Sequence, residues 1–195
     1  MTKKIFLILL TLLFVCGGFY LFKVKLFPED KLEFLSPIDY SGDIPVRRDD
    51  YGDGSFGARR GRGRRYHLGL DILAEVGTPV RAAKSGLVLN AERNHGMGKY
   101  VEIKHRQGLV TIYGHLSKIF VSKGEIVKQG QIIGAVGKTG NANRRLILPH
   151  LHFEVRKFGM PQDPIDYLYL SNNKDRFKFL TNLFPNGNDK GNNGQ

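Results

Sequence analysis

The sequence predicts a mainly β fold, an antiparallel β-sheet domain preceded by an N-terminal transmembrane helix. Between about residues 66 and 170, short apolar or alternating runs recur between glycine-containing turns, which is the pattern of paired strands. Glycine is abundant at 24 of 195 residues and proline scarcer at 8, as is typical of turn-rich β proteins. Residues 5–22 carry no charged side chain, and at ~1.5 Å per residue this run is just long enough to cross a bilayer.

The apolar run is flanked by two lysines on each side, so the lysine balance alone does not decide its orientation. A cleaved signal peptide is the competing interpretation, but the best cleavage candidate, Cys16-Gly17-Gly18, fits the small-x-small rule poorly. We therefore predict an uncleaved signal anchor over residues 1–25. If the segment is cleaved, the alternative is a secreted protein.

The remainder divides into four predicted segments. Residues 26–58 form a lead-in with weak periodicity, and residues 59–170 form the β domain, which ends in a short helix at Pro164–Leu170. A C-terminal helix is predicted within residues 171–185, and residues 186–195 lack apolar side chains and should be disordered. Residues 123–130 have the glycine spacing of a tight hairpin. The clearest predicted strands are Gly86–Ala91, Tyr100–His105, Leu109–Tyr113, Gln131–Val136 and Leu151–Arg156.

The formal net charge of +12 is concentrated in two short segments. Four of the excess charges lie in residues 1–25 and five in Arg59–Arg65, which leaves only +3 for the other 163 residues (12 − 4 − 5 = 3). A duplex-binding protein usually presents a basic face on its folded surface, so this distribution argues against a specific nucleic-acid ligand. The arginine-rich loop could instead contact phosphate without sequence preference, or steer the domain toward an anionic wall or membrane surface.

The histidines are the candidate metal ligands, because the single cysteine, Cys16, lies in the apolar run and leaves no Cys-based zinc site. In His150-Leu151-His152 both imidazoles should project from one face of a strand. The alternation in His67-Leu68-Gly69-Leu70-Asp71 also favours a strand, with His67 and Asp71 on one face.

His67, Asp71 and either His150 or His152 would supply two imidazoles and one carboxylate to a metal. This is the ligand set of a catalytic zinc site, with a fourth position open to water. His95 and His105 lie in or beside turns, where we expect them to serve the turn or face solvent.

Five segments, taken together and in order, resemble the lysostaphin-like (LytM-type) zinc metallopeptidases, a family of peptidoglycan endopeptidases. The resemblance covers roughly residues 52–165. The matching segments are His67–Asp71, Gly77–Val88, Tyr113–Ser117, Gly134–Gly140 and Pro149–Glu154.

The resemblance implies an antiparallel sheet of the LytM type and one Zn²⁺, held by His67, Asp71 and His152. It also implies that His115 and His150 are the catalytic pair, without saying which is the general base. The implied reaction is hydrolysis of peptide bonds in peptidoglycan cross-links or stem peptides by zinc-activated water with histidine assistance. Such a domain would act outside the cytoplasmic membrane, anchored by the N-terminal helix.

Two loops depart from the family pattern. Residues 141–148 are longer than the usual linker, and the segment ahead of His67 is unusually rich in arginine. Both loops should line the cleft, so the peptide bond that is cleaved stays open. The alternative function is a non-hydrolytic relative that binds wall peptide or activates a partner hydrolase.

Overall fold

A computed structural model of the chain describes residues 28–31, 33–60 and 63–170. The predicted signal anchor, the second C-terminal helix and the tail lie outside these residues. Among the described residues, no helix has the length and apolar character needed to cross a membrane.

The regular secondary structure of the described residues consists mostly of short and medium strands, followed by one α-helix. The strands are β1 (Arg48–Asp49), β2 (Gly52–Asp53), β3 (Arg59–Arg60), β4 (Arg65–Tyr66), β5 (Leu70–Leu73), β6 (Pro79–Arg81), β7 (Gly86–Asn94), β8 (Gly98–Lys104), β9 (Leu109–Leu116), β10 (Lys118–Ile119), β11 (Ile126–Val127), β12 (Ile132–Ala135), β13 (His150–Lys157) and β14 (Met160–Gln162). The helix α1 (Pro164–Leu170) confirms the helix predicted there. Two 3₁₀ turns lie at Arg106–Gly108 and Gly140–Ala142.

The main sheet has seven strands in the order β11-β7-β8-β9-β13-β14, with β5 pairing beside β14 along the same edge of β13. All its pairings are antiparallel, which confirms the predicted antiparallel β-sheet domain. A smaller sheet has the order β10-β12-β6, and two short ribbons join β1 to β2 and β3 to β4. The hairpin predicted at residues 123–130 is wrong, because β11 pairs with β7 while β12 pairs with β6 and β10.

Strand β13 separates the core from the polar side of the sheet. Its alternate residues Leu151, Phe153 and Val155 are fully buried in the hydrophobic core, as the period-2 pattern predicts. The intervening residues, including His150 and His152, project from the other face. Strand β13 therefore packs the core with one face and presents its polar side chains with the other.

The weakly periodic lead-in also supplies core residues. Phe34 and Ile38 are at most 2% exposed, and the Phe34 ring lies 6.1 Å from the Phe153 ring and 5.3 Å from the Tyr167 ring, centroid to centroid. Burying a side chain of this size contributes about 1.5–3 kcal/mol. The lead-in thus packs against both β13 and α1.

Candidate metal centre

His67, Asp71 and His152 form a buried cluster in which one atom from each faces the other two. Asp71 Oδ1 lies 3.0 Å from His67 Nε2 and 2.8 Å from His152 Nδ1. The two nitrogens are 3.0 Å apart, and none of the three residues is more than 7% exposed. These three residues could hold a metal ion.

The register of the sheet brings the cluster together. On β13, His152 lies opposite Asp71 of β5. His67 is not in a strand, contrary to the predicted strand over residues 67–71, because β4 ends at Tyr66 and β5 begins at Leu70. A bend lies between the two strands at Gly69, where glycine allows close approach to β13, since a Cβ there would lie 3.0 Å from His152 Cε1 and 2.5 Å from the backbone oxygen of Phe153.

The outer hydrogen bonds determine which nitrogens of the two imidazoles carry protons. His67 Nδ1 donates to the carbonyl oxygen of Ser55 at 2.9 Å, and His152 Nε2 donates to Glu154 Oε1 at 3.1 Å. Both acceptors lack a proton of their own, so these nitrogens must be the protonated ones. The inner nitrogens and Asp71 Oδ1 then face one another as lone pairs, an arrangement that requires a cation between them.

A proton can fill this role when no metal is bound. Burial alone would lower the pKa of His152, but its hydrogen bonds and charge interactions with Asp71 and Glu154 raise that pKa to about 9. Burial likewise disfavours the charged form of Asp71, yet its interactions with His152 and His67 hold its pKa far below the ordinary range. The cluster is therefore built to hold positive charge beside an ionised carboxylate.

Two arginines hold the second oxygen of Asp71. Arg47 reaches Asp71 Oδ2 through Nε at 3.2 Å and Nη2 at 3.1 Å, while its Nη1 lies 2.5 Å from Asp49. Arg60 Nη2 lies 3.4 Å from the same oxygen of Asp71. Because Oδ2 is occupied, Oδ1 remains directed at the two histidines.

Arg47 and Glu154 were not singled out by the sequence analysis. The side chain of Glu154 accepts from His152 and also pairs with Arg156 Nη2 at 2.6 Å. The alternation that places His150 and His152 on one face extends to Glu154, so this residue could have been predicted. Arg47 carries no such signal, because it comes from the lead-in and reaches the site through tertiary packing.

His115 and His150 lie beside the cluster, with ring centroids 5.0 Å apart. His150 Nδ1 donates to the carbonyl of Leu148 at 2.6 Å, and His115 Nδ1 donates to that of Thr139 at 2.9 Å. Each Nε2 is therefore unprotonated, and His150 Nε2 lies 3.8 Å from Asp71 Oδ1. Burial, followed by the charge of His152, lowers the pKa of His115 to about 3, and burial also lowers that of His150. Both rings are neutral at pH 7 and can accept a proton.

The backbone at His115 is strained. Its φ of 62° lies in the left-handed region, which is uncommon for a residue with a side chain. The backbone N–H of His115 donates to the carbonyl of Met97 at 2.8 Å, which helps to hold this conformation. The distortion occurs one residue before the end of β9, where the imidazole enters the site.

The other two histidines differ in their surroundings. His95 is exposed in a turn, as expected. The expectation for His105 is wrong, because this residue is only 2% exposed. Its Nδ1 donates to the carbonyl of Ser85 at 3.0 Å and its Nε2 accepts from Thr111 Oγ1 at 2.7 Å.

The cluster opens into a cleft of about 500 Å³. Both loops that depart from the family pattern contribute to its lining. The arginine-rich segment supplies Arg60 and Arg65, and the 141–148 loop supplies Asn141, Ala142 and Arg144. His115 and His150 also line this cleft, together with the three metal-ligand candidates.

The antiparallel sheet thus brings a possible His–Asp–His metal site to an open cleft. Residues 65–164 match the sequence model of Peptidase family M23. The chain belongs to this family, in agreement with the resemblance drawn from its motifs.

Relatives and solved structures agree with this membership. The chain is 42% identical over 101 residues to the DD-carboxypeptidase/endopeptidase Mpg of Neisseria meningitidis, a match that covers 52% of this chain and 22% of that protein. It is 44% identical over 98 residues to the peptidoglycan DD-endopeptidase ShyC of Vibrio cholerae, covering 50% of this chain and 22% of that one. The catalytic domain of lysostaphin from Staphylococcus simulans superposes with a TM-score of 0.52 at 33% identity, covering 60% of this chain and 90% of that domain. The chain thus spans about a fifth of the two full-length relatives.

Proposed function

We propose that this protein is a zinc-dependent endopeptidase that hydrolyses peptide bonds in peptidoglycan cross-links or stem peptides. The observation that carries the proposal is the convergence of three lone pairs in a buried cluster next to two neutral histidines. Membership of family M23 and the endopeptidase names of its relatives support the substrate class.

The donor set fits Zn²⁺. Two imidazole nitrogens and one carboxylate oxygen are a common set of protein ligands for catalytic zinc. Ligand atoms ~2.0–2.1 Å from a tetrahedral zinc lie about 3.4 Å apart, so donors now 2.8–3.0 Å apart need to spread only slightly. His67, Asp71 and His152 would hold the ion, which when bound would polarise the scissile carbonyl and lower the pKa of water.

His115 and His150 supply the proton transfers. Hydrolysis adds the oxygen of water to the carbonyl carbon, breaks the C–N bond and delivers a proton to the departing nitrogen. The backbone carbonyls on Nδ1 hold each ring in the tautomer whose Nε2 can accept a proton. One of the pair takes a proton from the attacking water, and the resulting imidazolium can return it to the leaving amine or stabilise the oxyanion.

The remaining side chains hold the ligands in place. Glu154 orients His152, and Arg47 orients Asp71, so that the ligand atoms stay directed at one point. Because peptidoglycan lies outside the cytoplasmic membrane, the domain acts on that side. The predicted anchor over residues 1–25 would hold it there.

The test is mass spectrometry of muropeptides released from purified sacculi by the purified full-length protein. We expect release to stop with a chelator and to return with zinc. His150→Ala and His115→Ala should each reduce turnover by about 100-fold or more. His95→Ala, at the exposed turn histidine, serves as the matched control and should retain activity.

Full activity in a folded His150→Ala protein, or activity that survives removal of the metal, would contradict this mechanism. A zinc-loaded protein that is inert on sacculi yet stimulates another hydrolase would instead support the non-hydrolytic alternative.

A further inference from the structure

The cleft beside the metal centre carries an excess of positive charge. Four arginines line it, whereas its acidic lining consists of Asp71 and Glu154. The arginines and carboxylates of the lining alone give a balance of +2 (4 − 2), before any histidine proton or metal ion is counted. A cleft of this kind concentrates anionic ligands, because its low-dielectric walls focus the field. The four arginines are Arg47, Arg60, Arg65 and Arg144.

Two of these arginines are occupied within the protein. Arg47 is 4% exposed and binds Asp71 and Asp49. Arg60 Nη2 contacts Asp71 at 3.4 Å. The other terminal nitrogen, Arg60 Nη1, is buried without a hydrogen-bond partner, alone among side-chain polar atoms of the described residues. This inner pair therefore serves the metal ligand and leaves one unsatisfied donor.

The outer pair has no internal anion. Within residues 28–31, 33–60 and 63–170, neither Arg65 nor Arg144 forms an ion pair with a carboxylate. The Arg144 guanidinium lies 5.7 Å from the centroid of the Tyr51 ring, a cation–π contact that restricts its side chain. Arg65 lies on β4, two residues before His67. Each of the two loops that depart from the family pattern thus places one unpaired guanidinium at the cleft.

We propose that Arg65 and Arg144 bind a carboxylate of the substrate near the scissile bond, so that this enzyme selects acidic peptides. The inference rests on the proposed peptidase function and adds the chemical class of the substrate. A guanidinium matches a carboxylate because its planar fork can donate two parallel hydrogen bonds. A peptide offers this group either as an acidic side chain or as its free C-terminus, and both present the same chemistry to the arginines.

The experiment compares cleavage of one cross-linked peptide with that of analogues in which the carboxylates are converted to carboxamides. Amidation removes the charge with almost no change in shape. One analogue is amidated at its acidic side chain and another at its C-terminus, so that the source of the recognised carboxylate is identified. We expect the full-length protein to prefer the acid over one of these amides by about 10-fold or more in kcat/KM.

Arg65→Gln and Arg144→Gln should each reduce that preference by about 10-fold, because a hydrogen bond to a charged group is lost. Arg144→Lys should restore only part of it, since lysine keeps the charge but lacks the planar fork. The matched controls are the neighbouring Arg64→Gln and Arg145→Gln. They change the net charge equally but lie outside the cleft lining, and the preference should be unchanged.

Binding of the same peptides to the metal-free protein, measured by calorimetry, gives a readout independent of turnover. Tighter binding of the acid than of its amide, reduced in Arg65→Gln and Arg144→Gln, would support the inference even if no hydrolysis occurs. An active protein that cleaves and binds acid and amides equally would overturn the inference and leave the proposed function standing. An equal loss of preference in Arg64→Gln and Arg145→Gln would also overturn the inference. So would a competition experiment in which duplex DNA displaces the bound acidic peptide at a lower concentration than unlabelled acidic peptide does.

Discussion

Two buried histidine clusters in the same protein differ in whether every hydrogen-bonding group has a partner. The closed cluster, around His105, is the one in which each group has a partner. In the other, His67 and His152 donate outward, and their inner nitrogens face Asp71 Oδ1 at 2.8–3.0 Å. Three lone pairs meet there beside an open cleft. The arrangement is incomplete without a cation.

The second cluster, around His105, is complete by itself. Its Nδ1 donates to Ser85 and its Nε2 accepts from Thr111, whose Oγ1 lies 2.9 Å from the Tyr113 hydroxyl. The Tyr113 hydroxyl oxygen accepts from the backbone N–H of Ala83 at 2.9 Å. Both clusters are buried and hydrogen-bonded, so neither burial nor hydrogen bonding identifies a metal ligand. What distinguishes a metal centre is the set of lone pairs left facing one another.

The largest expected effect comes from removing one ligand. We expect His152→Ala to reduce zinc affinity by more than about 100-fold and to abolish hydrolysis, since even the loss of an outer hydrogen-bond partner costs 10- to 100-fold. His105→Gln is the matched substitution in the closed cluster and should retain the full metal content. Zinc content by atomic absorption, with competition against a chromophoric chelator, measures both. Equal zinc affinity in His152→Ala and wild type would contradict the assignment of the His67, Asp71 and His152 cluster as the metal site.

The next effect concerns Arg47, which connects the lead-in to the metal centre. Arg47→Ala leaves Asp49 without its buried arginine and the outer oxygen of Asp71 with only Arg60, and it should lower the free energy of unfolding by about 3–5 kcal/mol. Arg48→Ala changes the neighbouring exposed arginine and should cost less than about 0.5 kcal/mol. Denaturant unfolding of the zinc-free proteins measures both values. Arg47→Lys keeps the positive charge but lacks the planar guanidinium that donates two hydrogen bonds to Asp71. The zinc affinity of this variant should therefore still fall if Arg47 orients Asp71.

The closed cluster predicts a loss of stability in acid. Burial lowers the pKa of His105 from 6.5 to about 4, so the unfolded chain binds the proton first as the pH falls. The stabilisation is complete above pH 6.5 and is lost between about pH 6.5 and 4, to a total of about 3 kcal/mol. Unfolding of the wild type and His105→Gln across this range, with zinc saturating, isolates the contribution. Parallel pH profiles for the two proteins would contradict it.

The smallest effect tests whether the closed cluster is purely structural. Thr111→Val keeps the shape but leaves His105 Nε2 without a donor, which should cost about 1–3 kcal/mol of unfolding free energy. Zinc content and kcat at 25 °C should match the wild type. A Thr111→Val protein of normal stability but altered zinc affinity would show that the two clusters are coupled.

The motifs predicted much of the site because they are local. In β13, side chains two residues apart share a face, so His150 and His152 were correctly placed together and Leu151 in the core. The same rule extends to Glu154, which was overlooked. The prediction for residues 67–71 was right that His67 and Asp71 approach each other. It was wrong about the local structure, because residues 67–69 lie outside any strand, with a bend at Gly69, and β5 begins only at Leu70.

The sequence by itself determined the antiparallel β fold and the family, and it predicted five histidine and aspartate site positions, since these depend on short periodicities and ordered motifs. Only the tertiary structure decided that Asp71 pairs with His152 across the sheet, that Arg47 reaches the centre from 24 residues upstream of Asp71, and that His105 is buried. These outcomes depend on strand register and on packing between distant segments. No local pattern encodes them, because the free energy that selects them arises from contacts formed only when the whole sheet assembles.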